Sequence, residues 1–170
     1  MNMMSEIRGA GLVERAREVA AIAAKHADAV DKEGRFPHEA VAAMKSARLF
    51  GIQVPILLGG EGATIAEIAE VCSIIAQECA SSAMIFAMHH IKLSSCVSDE
   101  WHEAFMHRIV REQLLLGSAT TEAGIGGNLR NSICAIEVDG DICRLTKEAT
   151  VISYGKQADA ILITSRSHKE

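Results

Sequence analysis

The apolar pattern of this 170-residue chain changes once, near residue 113. Before that point apolar residues recur at helical spacing. After it, short alternating runs are broken by glycine turns. Helices first and strands afterwards exclude alternating β/α units and predict an α+β protein in two segregated parts. The expected division is 1–113, a helical bundle, and 114–170, an antiparallel β-domain.

Leu12, Ala16, Val19, Ala20, Ala23, Ala27 and Val30 mark one face of a first helix, which Gly34 stops. Pro37 suits the first turn of a second helix, running to about Leu49 and closed by Gly51. Ile52 to Gly62 reads as an irregular crossing, with Gly59, Gly60 and Gly62 as loop punctuation. Thr64 and Glu67 form a capping box that starts a third helix, to about Cys79. Ser81 and Ser82 can cap a fourth, to about Ser95, and Ser98 a fifth, ending near Arg111. The third and fourth are apolar almost all round, which predicts burial on every side.

Beyond Gln113, Leu114 to Thr121 reads as extended. Ile133 to Val138 alternates, Asp139-Gly140 turns, and Asp141 to Leu145 returns, a hairpin signal. Ala158 to Thr164 is the last strand. A sheet ending there leaves an open edge or an unfinished barrel, so the β-domain is expected to be cut short or completed by another chain.

Composition narrows the function classes. Seventeen Lys and Arg stand against 22 Asp and Glu, a net charge of −5, and no basic cluster is present. Nucleic-acid binding is therefore not expected. The longest apolar run, Ala83 to Met88, is too short to span a bilayer, and the N-terminus lacks a leader pattern. Five cysteines without a C-x-x-C read as reduced, buried thiols in a cytoplasmic protein. No metal site is expected: there is no Glu-x-x-His and no His-Glu-x-x-His. His89-His90 reads as one histidine bonded in the core and one at a rim. Glu103 and His107 read as a solvated helix pair.

The loop Gly124-Ile125-Gly126-Gly127-Asn128, behind the hydroxyls of Thr120 and Thr121, carries the most pointed chemistry. Glycines let backbone N–H groups approach a phosphate closely. Read alone, the loop is an ordinary turn ahead of a phosphate cradle.

Taken in order, LFGIQVPILLGGEG, AMHH, LLLGSATTEAGIGGN and VDGDICRLTKEATVISYGKQADAILITSR resemble the acyl-CoA dehydrogenase family over residues 12–168. The resemblance implies a helical N-terminal domain followed by the first part of a flavin-binding β-domain. Of the family's Thr-Glu-Pro-x-x-Gly-Ser-Asp loop, Thr121, Glu122 and Gly126 agree, while Ala123, Gly127 and Asn128 depart. In the second flavin segment, Ala149 stands for the family's lysine, Val151 for its tryptophan and Ser153 for its threonine.

By resemblance the cofactor is FAD, with reduced FMN the alternative. Its contacts would be Ser118, Thr120, Thr121, Gly126, Gly127, Val151 and Ser153. The implied activity is FAD-dependent oxidoreduction of CH–CH groups of acyl thioesters. The catalytic base would come from the family's C-terminal domain, which lies outside this chain, so no catalytic residue is assigned and the chain alone is expected to be inactive. Two other readings stand beside it: a flavin-dependent monooxygenase of the same fold, and a non-catalytic helical interaction module. The expected partners are an acyl-CoA or other small molecule, and a second copy or another chain.

Overall fold

The computed structural model describes residues 3–97, 102–126, 128 and 131–167. They divide into two compact units at Leu115/Leu116.

Among its described residues the first unit holds five α-helices: α1 Met3–Glu33, α2 His38–Ser46, α3 Ile65–Ala76, α4 Ala80–Val97 and α5 Glu103–Glu112. α1 packs on α2 and α3, and α3 on α4. Leu12, Ala16, Val19 and Ala23 of α1 are buried, as their spacing requires. Gly34 ends α1 at φ +58°. Its N–H donates to Asp31 O (3.3 Å) and Arg35 N–H to Val30 O (3.1 Å). That is a Schellman closure, which needs a left-handed residue where Gly34 stands.

Pro37 is the N-cap of α2 rather than part of its first turn, and α2 ends at Ser46. Arg48, at φ +57°, turns the chain into a 3-10 turn at Leu49–Gly51. The 52–62 crossing carries a second such turn at Ile56–Leu58. Gly60 is required there, because a Cβ would stand 2.0 Å from Val54 O. Thr64 and Glu67 form the expected box: Thr64 N–H donates to Glu67 Oε2 (2.7 Å) and Glu67 N–H to Thr64 Oγ1 (3.3 Å).

α4 begins at Ala80, so Ser81 and Ser82 lie inside its first turn instead of capping it. Ala83 N–H already donates to Cys79 O (3.1 Å), and buried Ser82 donates to Cys79 Sγ (3.2 Å). The expected cap at Ser98 lies outside the described residues. Glu103 and His107 are exposed on α5.

Burial of α3 and α4 differs from expectation. Ile68, Val71, Ile75, Ile85, Phe86 and Leu93 are buried, yet Ile65 and Ile91 are each 64% exposed. α3 packs on α1 and α4, and an outer side of the α3–α4 pair lines an open groove of about 430 Å³. The all-round apolar pattern does not separate these two sides. All five cysteines are free; Cys79, Cys96 and Cys134 are buried as expected, but Cys72 is half-buried and Cys143 exposed. Among the described residues, no helix is long and apolar enough to cross a membrane.

Among its described residues the second unit holds four short strands: β1 Leu116–Ala119, β2 Ile136–Asp139, β3 Ile142–Leu145 and β4 Ala160–Ile163. β2 and β3 form the expected antiparallel hairpin, in register Ile136↔Leu145 to Asp139↔Ile142. Its loop is Gly140-Asp141, one residue later than the sequence suggests, with Gly140 at φ +58°. β1 and β4 pair in parallel, Leu116↔Ala160 to Ala119↔Ile163, over a 40-residue connection that contains the hairpin. A parallel pair requires such a crossover.

Candidate functional site

The parallel pair of the second unit brings two distant segments together where β1 ends. Ser118 and Thr120 are two apart on extended chain, so they share a face. Their hydroxyls lie 2.8 Å apart. Thr121 is exposed, and its Oγ1 donates to Val151 O at 3.4 Å. Thr150 Oγ1 stands 3.5 Å from the same hydroxyl. Val151 presents an apolar side chain that is 66% exposed. Ser153, half-buried, opens the turn 153–157.

Tyr154 anchors that turn. Its backbone is left-handed at φ +43°, and its hydroxyl donates to Leu116 O on β1 (3.0 Å). Burial pushes the phenol up to about 12, so it stays a donor at any ordinary pH. Gly155 follows, where a Cβ would stand 2.8 Å from Ile152 Cγ2.

Two pairs thus meet near the end of β1, Ser118 with Thr120 and Thr121 with Val151, and Ser153 sits on the adjoining turn. Gly126 lies in the loop beyond Thr121, at φ +57° with open space where a Cβ would be. Gly127 lies outside the described residues. The donor chemistry suits a flavin: hydroxyls for the polar edge of a flat ring, an exposed apolar side chain for its face, and an open glycine loop for phosphate.

Glu122 and Lys147 are functional candidates that the sequence reading missed. Glu122 Oε1 accepts from Cys134 N–H (2.7 Å). Its Oε2 accepts from Ser132 Oγ (2.8 Å) and Ile133 N–H (3.1 Å). Lys147 Nζ stands 3.1 Å from the same oxygen, and each side chain is 5% exposed. Burial raises the carboxyl pKa, but hydrogen bonds from Ser132, Lys147 and the two amides outweigh it and hold the group at about 2. Glu122 therefore remains ionised and is a weak base near neutral pH. A signal for it was present, since Glu122 keeps the family's residue in its loop. Lys147 had none, because the family's lysine position is Ala149. Beside Glu122 lies a cavity of about 470 Å³ that also includes Glu137 and Glu148.

In the first unit, His89 and His90 are both buried, which overturns the expected rim position for one of them. The 49–53 segment supplies acceptors for both rings. His89 Nε2 donates to Phe50 O (2.8 Å) and His90 Nε2 to Leu49 O (3.0 Å). Because a carbonyl only accepts, these bonds place the proton on Nε2 of each ring. Desolvation lowers His89 to about 4 and His90 well below its ordinary value, so both are neutral. Gln53 lies beside the same ring and donates to Ser94 Oγ at 2.6 Å.

The N-terminal domain of acyl-CoA dehydrogenases matches residues 10–113 of this chain. The chain is 26% identical over 145 residues to a 3-(aryl)acrylate reductase of Clostridium sporogenes, covering 83% of this chain and 38% of that protein. It is 28% identical over 121 residues to a probable acyl-CoA dehydrogenase, FadE25, of Mycobacterium leprae, covering 69% and 31%. It therefore spans less than two fifths of the length of these curated relatives. Its fold is similar to that of FMN-bound TdsC from Paenibacillus sp. A11-2, with a TM-score of 0.81 at 18% identity over 94% of this chain and 40% of that one. With the matched domain extending over most of its length, the chain belongs to the acyl-CoA dehydrogenase family.

Proposed function

We propose that the chain supplies part of a flavin site in an oxidoreductase acting on CH–CH groups of acyl thioesters, with FAD as the cofactor. The observation that carries this reading is the Thr121–Val151 contact, 30 residues apart in sequence. It joins two segments that resemble the family's flavin-contacting segments.

A bound flavin would take up the two electrons removed from the CH–CH bond. The chain's own residues orient and shield it. By the resemblance, the hydroxyls of Ser118, Thr120 and Thr121 would lie along the polar edge of the ring, with Thr121 as an acceptor while its proton goes to Val151 O. Val151 covers part of one face and Ser153 offers a further hydroxyl. By the resemblance, the backbone N–H groups of Gly126 and Gly127 would meet the pyrophosphate. Glu122, held by its hydrogen bonds, is a weak base, and no catalytic base is assigned to this chain. The whole enzyme would draw its base, and the rest of its substrate cavity, from a further part of the fold or a partner chain.

Val151 also favours a second reading, a monooxygenase of the same fold using reduced FMN. A valine leaves one flavin face less covered than the family's tryptophan would. TdsC, whose fold this chain shares, holds FMN in its crystal structure.

Two assays on the protein completed by its partner or remaining sequence separate these readings. Acyl-CoA-dependent reduction of an artificial electron acceptor without oxygen supports the dehydrogenase. Oxygen-dependent hydroxylation with a flavin reductase, and no acyl-CoA turnover, replaces it with the monooxygenase. Flavin binding without either activity overturns both.

A further inference from the structure

Residues 120 and 121 are a two-residue span between fixed points. On one side, Ala119 O accepts from Thr164 N–H (3.2 Å). On the other, Glu122 is tied down by three hydrogen bonds and an ion pair. A carboxylate has about four acceptor directions, so Glu122 is fully occupied. Lys147 closes the circuit, because its Nζ also donates to Thr164 O (2.8 Å), on the residue that bonds Ala119. Ala123 N–H donates to Glu148 O (3.2 Å), fixing the loop one residue further on.

Resting on the flavin reading for its consequence, we propose that Glu122 and Lys147 are positioning residues that hold the Thr120 and Thr121 hydroxyls at the end of β1. A buried pair suits this purpose. Removing one partner leaves the other charge uncompensated, so the arrangement tolerates little displacement. Neutral donors alone would leave an uncompensated anion beneath the loop, and Lys147 supplies the missing charge. It does so two residues before Ala149, where the family has lysine. Both side chains are almost wholly buried and act through the loop.

The test uses the full chain and two readouts. The first is amide hydrogen exchange in flavin-free protein, for wild type, Lys147→Met, Lys147→Arg and the milder Ser132→Ala. Loss of the pair in Lys147→Met speeds exchange at Ala123, Ile133 and Cys134 by at least about tenfold, since these N–H groups bond Glu122 or the carbonyl of Glu148, next to Lys147. Exchange in the β2–β3 hairpin stays at the wild-type rate. Ser132→Ala gives a smaller change at the same amides, and Lys147→Arg keeps the wild-type pattern. Unchanged exchange at the three amides overturns the proposal, as does equal acceleration throughout the hairpin.

The second readout is the dissociation constant for FAD and FMN. Lys147→Met weakens flavin binding by at least about tenfold and Lys147→Arg restores it. Wild-type affinity in Lys147→Met, with its loop loosened, overturns the positioning role. A wild-type chain that binds neither flavin overturns the flavin reading, while the exchange result still decides the clamp.

Discussion

Acid should destabilise the helical unit well above the pH at which carboxylates titrate, because of His89. The ring is fully buried and neutral, held at about 4 against 6.5 in its ordinary state. Its folded pKa is depressed, so below pH 6.5 the unfolded chain binds a proton that the folded chain refuses. Stability is therefore complete above 6.5 and falls as pH drops towards 4. For a 2.5-unit difference the loss is about 2 kcal/mol at pH 5 and approaches about 3.4 kcal/mol at pH values well below 4. His90 acts with the same sign. Glu39 and Glu122, both held at about 2, also lose stability as pH falls, but only below about pH 5.

Urea unfolding followed by far-UV circular dichroism reads the helical unit, since all five helices belong to it. The midpoint should be steady from pH 8 to 7 and drop steeply between 6.5 and 5. His89→Gln lowers stability at pH 7 but flattens the pH dependence by up to about one proton's worth. A wild-type midpoint that does not move between pH 7.5 and 5 refutes the reasoning. So does a His89→Gln variant with the wild-type slope.

Other substitutions test local claims. Gly60→Ala forces a Cβ to 2.0 Å from Val54 O and should cost more than about 2 kcal/mol, whereas Gly11→Ala, with open space in α1, should add up to about 1 kcal/mol in urea titration. Thr64→Ala removes one arm of the α3 capping box and should lower stability by about 1 kcal/mol in the same assay. Tyr154→Phe loses only the hydroxyl bond to Leu116 O; thermal unfolding should detect about 1 kcal/mol lost from the second unit.

Most of the local structure was legible because its causes are local. Gly34 can take a left-handed conformation, Thr64 and Glu67 cap each other across three residues, and the hairpin follows from alternation with a glycine turn. What escaped depends on residues distant in sequence. The burial of His90 depends on Leu49 O, 41 residues away. The parallel partnering of β1 with β4 has no signature in either strand, and Ser81-Ser82 carry cap chemistry that the preceding Cys79 turn makes unnecessary. Within the candidate site, the hydroxyls of Ser118, Thr120 and Thr121 could be named from motif order. The support beneath them could not, because Glu122 and Lys147 meet across 25 residues. The exposed flank of α3 and α4 escaped for another reason: apolar periodicity reports that a face can be buried, and says nothing of whether a partner lies against it.

The central claim is that residues 118–121 and 151–153 carry part of a flavin site, and visible absorption of the purified chain tests it most directly. The chain is mixed with FAD, desalted and scanned beside a Thr121→Val variant, which removes the hydroxyl bonded to Val151 O. The account predicts retained yellow flavin in the wild type and a clear loss in the variant. A folded wild-type protein that emerges colourless, with FMN as with FAD, contradicts it.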